Sequence, residues 1–345
     1  IAPKDAEAAA IHALASFVTT ATKAFEDLDL RHSWFGVDRL LDPKHRSTVV
    51  ELDQKLEAID KDLAIVADDP RFAMELCLAC WTMDWNHDGK IDERDQQLLT
   101  IDHDAHGAEI PAGDPRQKPT FRFDVGDALW ARAMVSFQRA VLQLVLAYNW
   151  ADAADHKGGG PTVIRLQDAG RVKRAKELVL AGLEFSDASR NAYLAETDDD
   201  REWVPSPRQK NHPIPLEIDD GIYTTWKSVV GDVRDLMSGK TGIAMKEIAG
   251  ATDAQLYRIA PDAYVDLGAM FDRPTDITIP DDHGVAKGPG EAKYIDELLH
   301  GVLGHGYAES MKPSPLVKRL LGYAAELERG GDTIDRKLRY LIWIN

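Results

Sequence analysis

From Asp124 to Asp152, apolar side chains return every three or four residues: Val125, Leu129, Met134, Phe137, Val141, Val145 and Leu146. That period is helical, because residues three and four apart share one helix face. The apolar positions cover more than one side, so the stretch reads as a central helix with neighbours around it. Elsewhere the same period recurs. Ile11, Leu14, Phe17, Val18, Ala21 and Phe25 mark a helix over 5–29. Val49, Leu52, Leu56, Ile59 and Leu63 mark another over 47–66, with Ser47 as its expected cap. A third helix is expected from about Pro70 to Met83 and a fourth from Glu93 to Ile101. Others are expected over 168–185, 186–196 (opened by Ser186 or Asp187), 219–238, 242–249, 252–258, 262–272, 291–303, 315–329 and 332–343. Strand alternation is scarce, with one short strand expected at Ile277-Thr278-Ile279. The expected fold class is all-α: a multi-helix array or bundle of roughly ten or more helices.

Breakers divide this pattern. Residues 102–123, rich in Gly, Pro, Asp and His, read as a connection, and Gly158-Gly159-Gly160-Pro161 ends the central helix. Pro205, Pro207, Pro213 and Pro215 exclude regular structure from 197–217. That segment reads as a linker between helical regions 1–196 and 218–345, or as a strap within one continuous domain. A chain of 345 residues, 44% hydrophobic, can bury a core without a staple.

Acidic residues outnumber basic ones by 58 to 41, a formal charge of −17. Such a field repels phosphate backbones and anionic lipid and favours cations, so nucleic acid is not an expected partner. No apolar run reaches the roughly 18 to 20 residues a bilayer span needs. The chain starts Ile1-Ala2-Pro3 without an initiator Met, which suggests a processed product that has lost an export signal. An extracytoplasmic (periplasmic or secreted) location is the expectation.

Cys77-Leu-Ala-Cys80 carries both cysteines. Trp81 stands where c-type haem attachment needs His, and no second pair completes a zinc site. The pair reads as two small apolar residues on the helix entering the next segment, with a local disulfide as the alternative.

That next segment is Asp84-Trp-Asn-His-Asp-Gly-Lys-Ile-Asp-Glu-Arg-Asp95. Ca²⁺ takes six to eight oxygen ligands, which a twelve-residue loop can wrap around it. Asp84, Asn86 and Asp88 put oxygen-bearing side chains at positions one, three and five, and Gly89 allows the sharp turn at six. Lys90 offers its carbonyl at seven, Ile91 is the expected apolar plug at eight, Asp92 ligates at nine, and Asp95 closes the loop. Four carboxylates so close together repel one another unless a cation relieves them. The loop resembles those of EF-hand proteins. Glu75, Leu76, Ala79, Cys80 and Met83 resemble the family's entering helix, and Leu98 and Leu99 supply an apolar face after the loop. The resemblance covers roughly 70–101 and implies a helix–loop–helix holding Ca²⁺ through Asp84, Asn86, Asp88, Lys90, Asp92 and Asp95. Asp95 stands where the family usually has Glu, which implies weaker affinity or a cage tightened toward Mg²⁺. Asp there is also similar to bacterial dockerins, but no paired second loop follows. Sensor EF-hands work in pairs, so a lone loop implies a rivet between two helices. Asp102-His-Asp-Ala-His-Gly107 reads as connection, with a secondary metal contact from His103 or His106 as the alternative.

Weaker candidates lie further on. His305 and Glu309 are spaced to share a helix face, and a glycine-broken turn could bring in His300 to make a zinc site. Asp281-Asp282-His283-Gly284 is a polar turn, and Trp203, Trp226 and Tyr223 are core aromatics or the lining of a groove. No phosphate-cradling loop or Gly-x-Ser-x-Gly elbow occurs. The expectation is a calcium-binding, non-enzymatic scaffold whose partner is another protein or a small ligand. The alternatives are a metal-dependent hydrolase at His300, His305 and Glu309, and a calcium-responsive regulator.

Overall fold

The computed structural model describes residues 5–28, 37–84, 89–92, 95, 100–104, 107–154, 160–216, 218–252, 254–281 and 289–329. The chain is 62% helical, with twelve helices among the described residues and only short strands, so it is a mostly helical multi-helix array.

Helix α1 (Ala6–Asp27) starts where the Asp5 carboxylate accepts the Ala8 N–H, satisfying a backbone donor that has no partner inside the helix. Its buried residues are Ala9, Ala10 and Ala13. A short helix, α2 (Val37–Leu41), leads through a 3-10 turn at Pro43–His45 into α3 (Arg46–Ala67). Asp42 caps that turn, so Ser47 lies inside the helix and not at its cap. Val49, Leu56 and Ile59 of α3 meet Ala13 of α1 and Val135, Leu142 and Leu146 of α4 (Val125–Ala147) in one apolar cluster. Helix α4 is the central helix the periodicity demands. Between α3 and α4 the buried Asp53 carboxylate accepts from the Arg139 guanidinium at 3.0 Å and from the Gln143 amide at 2.8 Å. A buried charge is tolerable only with such partners.

After α5 (Ala151–Ala154) comes α6 (Ala169–Ala195), one continuous helix where two were expected. Ser186 and Asp187 are not caps. Ser186 Oγ accepts from the Trp226 indole N–H, and Asp187 pairs with Arg190. Gly182 lets α6 approach α4: a Cβ there would lie 2.5 Å from the Phe137 ring. The C-terminal helices are α7 (Asp220–Met237), α8 (Met245–Thr252), α9 (Ala254–Ile259), α10 (Leu267–Asp272), α11 (Pro289–Leu303) and α12 (Leu316–Arg329). The last expected helix, 332–343, lies outside the described residues, as does most of 93–101.

Residues expected to be helical between Pro70 and Met83 are not. Ala73–Leu76 form strand β1, antiparallel to β2 (Phe121–Asp124) with Ala73 opposite Asp124, and Leu78–Cys80 form a 3-10 turn. Four residues are too few for periodicity to choose between helix and strand, and a partner strand far along the chain decides. The cysteines are joined as a Cys77–Cys80 disulfide, so the reading of two apolar helix residues gives way to its alternative. The expected strand at 277–279 is present as β6 (Ile277–Ile279), antiparallel to β3 (Thr162–Ile164). A further small sheet joins β4 (Ile243–Ala244), β5 (Tyr264–Val265) and β7 (Tyr307–Ala308).

The proline-rich segment is irregular, as its prolines require, yet it does not hang free. Trp203, Val204, Ile214 and Leu216 are buried in one cluster with Phe121 and Tyr193 before it and Ile218 and Tyr223 after it. Trp203 and Tyr223 are therefore core residues, not the lining of an open groove. None of the described helices is long and apolar enough to cross a membrane.

Candidate metal centres

At the twelve-residue loop, the Asp84 Oδ2 atom accepts the Gly89 N–H at 2.9 Å, folding the first acid back over the turn. Gly89 has φ +85°, the left-handed conformation that a side chain would strain. At the far end the Asp95 Oδ2 atom accepts the Asp92 N–H at 2.9 Å, and Asp95 is only 2% exposed. Lys90 is exposed. Asn86 and Asp88 lie outside the described residues. Two features depart from the expected pattern. Ile91 is 54% exposed and does not plug the core. The loop is entered from β1 and the disulfide turn, so Glu75 and Leu76 lie in a strand and Ala79 and Cys80 in a 3-10 turn, not in an entering helix.

The expected connection after the loop is a tight turn. His103 bridges to Glu109, Gly107 N–H donates to the Asp104 carbonyl, and the His103 ring lies 3.0 Å from the Asp102 carboxylate. His106 lies outside the described residues.

A second acidic centre has no counterpart in any sequence motif. Asp124, Glu196 and Glu202 each place a carboxylate oxygen within 4.8 Å of the others. Asp124 sits at the end of β2 as the cap of α4: its Oδ1 accepts the Gly126 N–H, and its own N–H donates to Asp127 in a capping box. Glu196 ends α6 and accepts from the Gln209 amide at 2.9 Å. Glu202 is drawn in by a parallel bridge between its backbone and Arg122, just after Arg201, whose φ of +53° turns the chain.

Burial at this centre is uneven. Glu202 is 2% exposed, whereas Asp124 and Glu196 are half-buried. Glu202 Oε2 and Glu196 Oε1 are buried without a hydrogen-bond partner among the described residues. Burial, and then the neighbouring Asp124 charge, pushes Glu196 up to about 9 and Glu202 up to about 8. Asp127, fully buried beneath them, is also driven well above the usual carboxylate range, by burial first and then by Asp124. Its Oδ1 accepts the Tyr193 hydroxyl at 2.8 Å. Arg122 places its Nε 4.0 Å from Glu202 while its Nη1 bonds Asp200 at 3.2 Å, and the Arg208 guanidinium donates to the Glu196 backbone carbonyl at 3.0 Å.

The other candidates disperse. The His300 ring stacks on Tyr307 at 3.6 Å, and His305 and Glu309 are exposed. These three do not form a ligand set: among the described residues, Asp124, Glu196 and Glu202 are the one group of three or more metal-ligating side chains so gathered. The Tyr307 hydroxyl donates to Asp296, and burial followed by that carboxylate pushes it up to about 12. Asp281 accepts the Gly160 N–H, a contact between loops, while Asp282, His283 and Gly284 lie outside the described residues.

No protein-family model, curated protein or solved structure matches this chain. Its own geometry carries whatever function is read from it.

Neither Glu196 nor Glu202 belongs to a spacing pattern, so the sequence offered no sign that they meet. The available signal was Asp124-x-x-Asp127, a capping-box arrangement at the head of the central helix. It marks a helix start, not a ligand.

Proposed function

We propose that this is a calcium-binding helical protein in which residues 84–95 hold a structural Ca²⁺ ion, and whose helical body serves as a binding or scaffolding surface. The observation that carries the reading is that each of the loop's two terminal acids accepts a backbone N–H from within the loop. Asp84 turns back onto Gly89, and the buried Asp95 carboxylate turns back onto Asp92. A hard cation takes six to eight oxygen ligands, which a twelve-residue loop can wrap around it. The disulfide supports an oxidising, extracytoplasmic setting, where Ca²⁺ is also abundant.

Calcium titration by calorimetry, together with thermal melts in Ca²⁺ and in chelator, tests this. Asp84→Asn with Asp92→Asn should remove one calcium equivalent and abolish the part of the melting shift due to the loop. A saturating ligand at about 100 times its Kd stabilises by about 2.7 kcal/mol, a readily measured shift. A structural ion should expose no new apolar surface, so binding of a hydrophobic dye should not rise with calcium. Unchanged calcium binding in the double variant would overturn the proposal.

A further inference from the structure

We infer that Asp124, Glu196 and Glu202 form a second, interior site for a divalent metal cation, separate from loop 84–95. Oxygen ligands hold such an ion at about 2.0 to 2.6 Å, so one cation can reach oxygens up to roughly twice that distance apart. The three carboxylates, all within 4.8 Å, meet that condition. Proximity of acids alone is common on protein surfaces, and a second observation separates this cluster from those. Glu202 is nearly sealed from solvent, and among the described residues its Oε2 atom has no hydrogen-bond partner. Buried polar atoms are almost always satisfied, and a ligand at the Glu202 carboxylate is the economical explanation here.

The surroundings fit a cation rather than another guest. Every ligating atom is a carboxylate oxygen, a donor set that suits Mg²⁺, Ca²⁺ or Mn²⁺ and not the softer ions. Among the described residues the buried acid's ion pair is with Arg122, and it lies at the limit of ion-pair distance. Outer contacts hold the ligands in place. Gln209 donates to Glu196 Oε2 at 2.9 Å and, through its own Oε1, accepts the Ser206 N–H at 2.6 Å. The Asp124 backbone is pinned by Asp127, which Tyr193 holds in turn. Such supports orient ligands and tune affinity at established metal sites. Asp124 and Glu196 are half-buried, so the cluster is not sealed on every side. Protons shared among the carboxyls are the competing way to relieve the same crowding, and the two differ in whether added metal is bound.

Mn²⁺ alone, followed by electron paramagnetic resonance on the full chain, decides. Wild type should bind two equivalents, and Asp84→Asn with Asp92→Asn should bind one. Adding Glu196→Gln to that loop variant should weaken the remaining equivalent by at least about tenfold, and Glu202→Gln should do the same. Gln keeps the shape and one acceptor at each position, and Asp124 is left alone because it caps α4. Should Glu202→Gln fail to fold, the half-exposed Glu196→Gln variant still decides. If the loop variant binds no manganese, or binds it equally well with Glu196→Gln, protons alone fill the cluster and the inference is overturned. A loop variant that still binds two equivalents, one of them lost with Glu196→Gln, would overturn the loop reading and leave this one standing.

Discussion

Arg201 donates through its guanidinium to the Glu75 carboxylate at 2.6 Å, joining strand β1 to the residue that precedes Glu202. Along the same strand, Ala73 stands opposite Asp124. The segment that runs into loop 84–95 is thus attached at two points to the frame of the interior acids. Both members of the Arg201–Glu75 pair are about half exposed, at 47% and 58%. Exposed pairs contribute up to about 1 kcal/mol. Glu75→Gln should therefore lower stability in urea melts by no more than that, and a loss above about 2 kcal/mol would show that the tether carries more than its exposure allows.

Gly182→Ala tests the contact between α4 and α6. Inside an isolated helix, Ala is favoured over Gly by about 1 kcal/mol. Here the added methyl would lie 2.5 Å from the Phe137 ring. Overpacking of this kind costs about 1 to 3 kcal/mol, so the variant should melt lower than wild type. A higher melting temperature would mean that Phe137 moves aside without cost.

Tyr193→Phe removes a buried donor without opening a cavity. Tyr193 is 0% exposed, and its hydroxyl donates to Asp127 at 2.8 Å. Losing a partner from a buried polar group costs about 1 to 3 kcal/mol. Denaturant unfolding should show a loss in that range. A change below about 0.5 kcal/mol, within ordinary surface-substitution scatter, would mean that Asp127 finds another donor.

Acid should destabilise the protein partly through His212. Burial lowers its pKa below the ordinary imidazole value, with Lys210 acting in the same direction, while the Ile214 carbonyl and Asp199 oppose both. The unfolded chain therefore takes up the proton first. Stability is intact above about pH 6.5, the unfolded value, and falls as pH drops from there through the lower folded value. Urea melts between pH 7.5 and 5 should show a smaller decline for His212→Asn than for wild type. Parallel declines would remove His212 from the account.

Reduction of Cys77–Cys80 should have a limited effect on global stability. The disulfide closes a short ring, with a sequence separation of 3. Loop-closure entropy for so small a ring amounts to about 2 kcal/mol. Melts with and without a phosphine reductant should differ by no more than that, and Cys77→Ser with Cys80→Ser should match the reduced protein. A larger loss would point to strand β1 depending on the crosslink.

Most helices could be placed from the chain alone, because burying one face of a helix imposes a local period. Val49, Leu56 and Ile59 of α3 and Leu146 of α4 carry that imprint and meet in one cluster, which also takes in Val135 and Leu142 from outside the pattern, whereas Val141 from within it is 53% exposed. The cap Asp5 and the helix-ending Gly239, at φ +68°, are equally local signals. Met74 and Leu76 carry no such imprint. Their four-residue strand exists because Phe121–Asp124 lie alongside it, and nothing within residues 70–83 reports that neighbour.

The two candidate centres divide in the same way. Loop 84–95 is contiguous, so its acids, its glycine and their spacing can be read in order, and the left-handed turn at Gly89 follows from the residue type. Asp124, Glu196 and Glu202 come from a strand end, a helix end and a proline-rich strap, brought together by the burial of Phe121, Tyr193 and Trp203 in one apolar cluster. Short-range chemistry can specify a helix, a cap or a twelve-residue loop, because each is complete within a few turns of chain. A pocket built from distant segments exists only after the core has closed, and the tertiary structure alone could place its acids.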